Sequence, residues 1–149
     1  MKRSLLAAAA AIVAVGCSGC GGSSSDGTGI EASDAWARTT PPGVSVGVVY
    51  MDVTSSTDDA LLGASVDPSI AAKVELHTNT TSGDMSSMQP VTSMPVSPDQ
   101  AIELDPLGSH LMLVDLAAPL TTGQRFDVTL HFRTAGDEQV PVEVRDGAP

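Results

Sequence analysis

The chain has 149 residues, with 7 Lys and Arg against 18 Asp and Glu, a formal charge of −11, 42% apolar residues and 3% aromatic ones. That length suits one folded domain, and the apolar share is too high for a wholly disordered chain. The charge balance excludes a nucleic-acid binder, which needs clustered cations to neutralise phosphates. Both cysteines, Cys17 and Cys20, precede residue 21, so the rest of the chain can hold neither a disulfide framework nor a thiolate metal cluster.

Taken from the N-terminus, Lys2 and Arg3 form a short positive region, Leu5 to Val15 is an apolar stretch too short to remain as a spanning helix, and small residues follow. Residues 1–16 therefore read as a secretory signal peptide. Ala14-Val15-Gly16-Cys17 resembles a bacterial lipobox, in which the cysteine becomes the lipidated first residue; Cys20 fits less well, with Cys17 at its minus-three position. Ordinary signal cleavage nearby is the alternative. Ser18 to Gly29 is nearly all Gly and Ser, a flexible coil of about 20 Å reach. Residues 17–29 thus read as a lipid-anchored linker. They place the domain at residues 30–149 outside the cytoplasm, at the outer face of the cytoplasmic membrane, on the cell surface or in the periplasm.

From Ile30 onward the pattern is β. Expected strands are Glu31–Ala37, Ser45–Thr54, Ala60–Ser65, Lys73–Thr78, Pro90–Met94, Gln100–Leu104, His110–Asp115, Phe126–Phe132 and Gln139–Val144. Val128 to Phe132 and Val140 to Val144 alternate with the period of a half-buried strand. Pro141 should sit at a sheet edge or where its missing N–H is not needed. Pro-Pro-Gly, Asp-Pro and Ser-Pro-Asp breakers separate the runs, and no long capped helical period is visible. About nine short strands at this spacing favour an all-β Greek-key sandwich or barrel with an aliphatic core.

Histidine and methionine gather in one region. His110 and Met112 are two apart on one strand and so face the same side. His77 closes the strand Lys73–Thr78, and Met88 ends a polar stretch, Thr78–Ser87, read as a loop. A methionine there has no core to fill. Thioethers are soft, neutral donors that suit Cu(I) and suit Mg, Ca or Zn poorly. Two imidazoles and two thioethers would form a neutral set for a monovalent soft ion.

The order His-x10-Met-x21-His-x-Met, at His77, Met88, His110 and Met112, resembles the signature of the PCuAC family of periplasmic copper chaperones. Flanking segments extend the resemblance: Asp34 to Arg38, Pro42-Gly43 through Tyr50-Met51, Val74 to His77, Ser109 to Leu113, and Leu116 through Pro119-Leu120. The resemblance implies a cupredoxin-like fold with Cu(I) held by those four residues. It also implies transfer of copper to a partner, such as the copper A site of cytochrome c oxidase or a Sco-type protein. The turns Ser55 to Asp59, Ser97-Pro98-Asp99 and Pro106-Leu107-Gly108 depart from the family pattern. Met85, three residues before Met88, is either an auxiliary donor or an exposed loop residue.

His131 reads as structural, Met51 and Met94 as core, and Trp36 as a core anchor with a bonded N–H. A blue-copper electron carrier would need a Cys thiolate with two His, which the domain lacks. No hydrolase or carboxylate–histidine metal motif marks an enzyme. The alternatives to copper delivery are a lipid-anchored binding or adhesion module without metal, and copper storage or tolerance.

Overall fold

Alternating aliphatic residues build the architecture one strand at a time. The computed structural model describes residues 29–82 and 85–147, so the leader, Cys17 and the linker up to Thr28 lie outside the described residues. Ten strands follow in chain order: β1 Ile30–Arg38, β2 Val46–Ser55, β3 Asp59–Val66, β4 Ala71–Ser82, β5 Met85–Val91, β6 Met94–Val96, β7 Ile102–Leu104, β8 His110–Leu116, β9 Arg125–Phe132 and β10 Asp137–Arg145. They form one mixed sheet in the order β5-β4-β8-β2-β1-β10-β9-β3-β6, with β7 on β2. β1 and β10 run parallel, and the other strand pairs are antiparallel.

The sheet folds over on itself. β6 returns against β2 and β7, and β3 lies against β4. The inner faces then share one core: Val49, Met51 and Val53 of β2, Leu111 and Leu113 of β8, Leu61 of β3, Val128 and Leu130 of β9, and Val140, Val142 and Val144 of β10. Each such aliphatic side chain contributes about 1.5–3 kcal/mol when fully buried. Met51 and Met94 are buried in this core, as their strand positions imply. In the β1–β2 connection, Val44 N–H donates to the Pro41 carbonyl at 3.3 Å and Gly43 takes φ 86°. This is a type II turn, with Pro42 and Gly43 at the positions that favour those residues.

Two expectations change. Thr78–Ser87 is not a loop: β4 runs to Ser82 and β5 starts at Met85, so the polar stretch is a hairpin ribbon. The expected strand Pro90–Met94 is broken at Thr92-Ser93, and its two ends belong to β5 and β6. Pro141 lies on an interior strand, but β1 meets β10 over Glu143–Arg145. At Pro141 the second neighbour has not yet joined, which is where a missing N–H costs least.

Candidate metal centre

On β4, Glu75, His77 and Asn79 share one face by the two-residue period. The register on β8 sets His77 opposite His110 and Glu75 opposite Met112. The register on β5 sets His77 opposite Pro90 and Asn79 opposite Met88. Residues directly opposite share a face, so His77, Met88, His110 and Met112 all stand on the outer side of the sheet. Leu76, Leu111 and Leu113 alternate into the core. Met88 and Met112 are both diagonal neighbours of His77, a separation of about 7–8 Å that long side chains span. Met88 is 49% exposed. Met85 pairs with Ser82 and has the opposite parity, so it sits on the other side of the ribbon, 77% exposed. The structure does not bring Met85 to the histidine pair.

The two imidazoles stack with centroids 5.8 Å apart and planes at 29°. Tyr50 meets His110 edge-on at 6.4 Å, and Trp36 packs on Tyr50 at 4.8 Å. This ring array shields the pair from water: His110 is 3% exposed and His77 is 9%. A bulge in β1 makes the array. The pairing passes from Ser33↔Asp52 to Trp36↔Tyr50, three steps against two, with Asp34 at φ 50°. Asp tolerates this left-handed conformation better than most residues. Without the extra residue, Ala35 would face Tyr50. Trp36 is therefore buried, but on the outer ring array and not in the inner core cluster expected of it.

The polar atoms of the two histidines are unevenly satisfied. His77 Nε2 lies 3.1 Å from a Glu75 carboxylate oxygen, and the Lys73 ammonium donates to the other Glu75 oxygen at 2.6 Å. These two hydrogen bonds hold the Glu75 carboxyl below the usual range. His77 Nδ1 and His110 Nε2 are buried with no hydrogen-bond partner. A buried acceptor without a partner costs about 1–3 kcal/mol, which a bound cation would recover. Burial, aided by the neighbouring His77 and opposed by a hydrogen bond to the Gly108 backbone, lowers the His110 pKa. The ring is thus held neutral, as a metal ligand must be. Among the described residues no three His, Cys, Asp or Glu side chains form a metal cage. The thioethers of Met88 and Met112 stand on the same face as the two imidazoles, and such donors suit a soft ion.

The ribbon and the preceding turn are fastened beside the pair. Asp105 accepts the N–H groups of Leu107 and Gly108 at 2.7 and 2.6 Å, closing the turn that leads into β8. Asn79 donates to the Leu107 carbonyl at 3.1 Å, and Ser109 to the Thr78 hydroxyl at 3.1 Å.

His131 lies elsewhere. Its Nε2 is 2.9 Å from Ser65 Oγ and its Nδ1 is 2.7 Å from Asp137 Oδ1. The order Ser–His–Asp is that of a hydrolytic triad, but Ser65 and Asp137 stand exposed on paired strands, and the line clasps β3, β9 and β10 together. Sequence reasoning missed three features of the site: Glu75, Tyr50 and the Gly108 contact. Glu75 was visible as the residue one strand period before His77; the other two needed the register.

Comparison with known proteins identifies the family and the fold. The family model described as "Putative lipoprotein LpqE-like" matches residues 30–144. The "Putative lipoprotein Lxx21020" of Leifsonia xyli subsp. xyli is 32% identical over 119 residues, covering 79% of this chain and 70% of that one. A copper-bound PCuAC domain from PmoF2 shares the fold with a TM-score of 0.65 at 24% identity, over 81% of this chain and 94% of that one. The solution structure of CuI-DR1885 from Deinococcus radiodurans has a TM-score of 0.59 at 26% identity, over 76% and 77% of the two chains. The fold is the cupredoxin-like β fold of PCuAC domains.

Proposed function

The chain belongs to the LpqE-like lipoprotein family, and we propose that its β domain is an extracytoplasmic carrier of Cu(I), bound by His77, Met88, His110 and Met112. The observation that carries this reading is the pair of stacked, buried imidazoles, each with one nitrogen left without a partner. Such nitrogens are poor structural elements and good ligands. Two thioether residues on the same sheet face complete a neutral donor set, which favours a monovalent soft ion over a divalent one. The solved PCuAC domains with copper support the choice of metal.

The mechanism is ligand exchange without catalysis. His77 and His110 are buried and held; Met88 is half exposed on a ribbon that extends past the start of β8. A soft donor of an acceptor protein would approach on the Met88 side and displace that thioether first, while the imidazoles keep hold until the acceptor is engaged. The acceptor would be an oxidase copper subunit or a Sco-type protein. A lipid at Cys17, the family's lipoprotein character and the Gly/Ser linker would keep the domain at the outer membrane face, within reach of membrane-bound partners.

Anaerobic competition titration of the domain with Cu(I) should show one tight equivalent, and X-ray absorption on the loaded protein should show both nitrogen and sulfur neighbours. A copper shell without sulfur overturns the ligand set. Palmitate labelling that persists in Cys17→Ser overturns the anchor.

A further inference from the structure

The orphaned nitrogens differ between the two histidines, and their bonded partners say why. A carboxylate can only accept a hydrogen bond, so the His77 Nε2 facing Glu75 at 3.1 Å carries the proton and Nδ1 carries the lone pair. On His110 the contact with the Gly108 backbone favours the protonated ring, so the carbonyl accepts. The nitrogen without a partner is Nε2, which leaves Nδ1 as the donor. We propose that the two rings are set in opposite tautomers before copper arrives, with Glu75, itself held by Lys73, as the positioning residue that leaves His77 Nδ1 free for the metal.

The arrangement matters because a ring in the wrong tautomer presents an N–H to the ion and must exchange its proton before binding. Partners of this kind fix ring orientation and raise ligand basicity, and their loss typically weakens metal affinity 10–100-fold. Here the two partners differ in kind. Gly108 holds His110 through the backbone and cannot be removed by substitution of a side chain. Glu75 holds His77 through a carboxylate that also accepts from Lys73 at 2.6 Å, so its second oxygen is not free to turn away. The two donors offered to the ion are then the near nitrogen of one ring and the far nitrogen of the other.

The inference rests on the copper reading for its purpose, but its test does not need copper. Nitrogen-15 NMR of the apo-domain at about pH 8, above the ordinary histidine range, should show His77 as the Nε2–H form and His110 as the Nδ1–H form. The His77 N–H should be protected from exchange with water. Glu75→Gln keeps an acceptor oxygen and should retain both the protected proton and near-native Cu(I) affinity. Glu75→Leu should lose the proton signal and weaken Cu(I) binding about 10–100-fold. The same tautomer on both rings overturns the proposal, as does a Glu75→Leu protein with both the proton signal and the copper affinity intact. Failure of the wild-type domain to bind Cu(I), with the two tautomers as stated, would overturn the copper function and leave the tautomer assignment standing.

Discussion

Two histidine regions of this domain lie in one sheet and differ in how their ring nitrogens are satisfied. His131 has a hydrogen-bond partner on each ring nitrogen, Ser65 on one and Asp137 on the other. His77 and His110 each keep one nitrogen bare, although both rings are more deeply buried. Burial normally forces polar atoms to find partners. The half-buried ring is fully satisfied and the deeply buried pair is not, which supports the proposal that the pair takes a ligand. Counting partners nitrogen by nitrogen separates the fully bonded histidine from the pair proposed as ligands, a distinction that sequence composition alone does not make.

The sharpest way to break this comparison is to remove one ring from each region. His110→Ala should weaken Cu(I) binding by more than about 100-fold, beyond the range that supporting partners carry. His131→Ala should leave copper affinity unchanged and lower stability by about 1 kcal/mol, the net worth of an exposed hydrogen-bonded clasp. Competition titration and denaturant unfolding read the two effects. Equal loss of copper affinity in both variants would erase the distinction.

Within the copper region, Met88→Leu keeps size and apolarity while removing the sulfur. It should weaken Cu(I) binding about tenfold, or about 1.4 kcal/mol, with an unchanged unfolding midpoint. A tenfold loss of affinity with a matching loss of stability would mean that Met88 packs rather than ligates.

A fourth variant probes the other region. Asp59 accepts the N–H groups of Ala60, Thr134 and Ala135 at 2.7, 2.9 and 2.8 Å, tying the start of β3 to the turn between β9 and β10. Burial raises its pKa, but these hydrogen bonds outweigh that and hold the carboxyl below the usual range. The unfolded chain therefore binds this proton more readily. The stabilisation is complete above the ordinary carboxylate pKa of about 3.9 and is lost as pH falls through the lower native value. Asp59→Ala should cost about 2 kcal/mol at neutral pH, flatten the acid limb of the stability profile, and leave copper binding untouched. The smallest effect is expected of Met85→Leu. Its side chain lies across the ribbon from Met88, so Cu(I) affinity should stay within about twofold of wild type, under 0.5 kcal/mol.

Much of this was legible in the residues. The spacing of His77, Met88, His110 and Met112 singled out the four that the register places on one outer face. The alternation in Val128 to Phe132 and Val140 to Val144 located β9 and β10. The ribbon was not legible, because Thr78–Ser87 is polar on both faces and leaves no period-2 apolar signal. Nor was the place of Trp36. The Asp34 bulge shifts the register by one residue, and a one-residue shift moves a side chain to the other face. Local pattern fixes which residues form strands; the pairing of distant strands fixes what they meet.

That bulge has an optical consequence. Trp36 is the sole indole of the sequence, and the extra residue in β1 seats it one ring away from His110 through Tyr50. The protein's ultraviolet-excited emission thus originates beside the proposed metal site. Metal binding there would alter the surroundings of that single indole, so filling and emptying of the proposed site should be observable in real time without an attached dye.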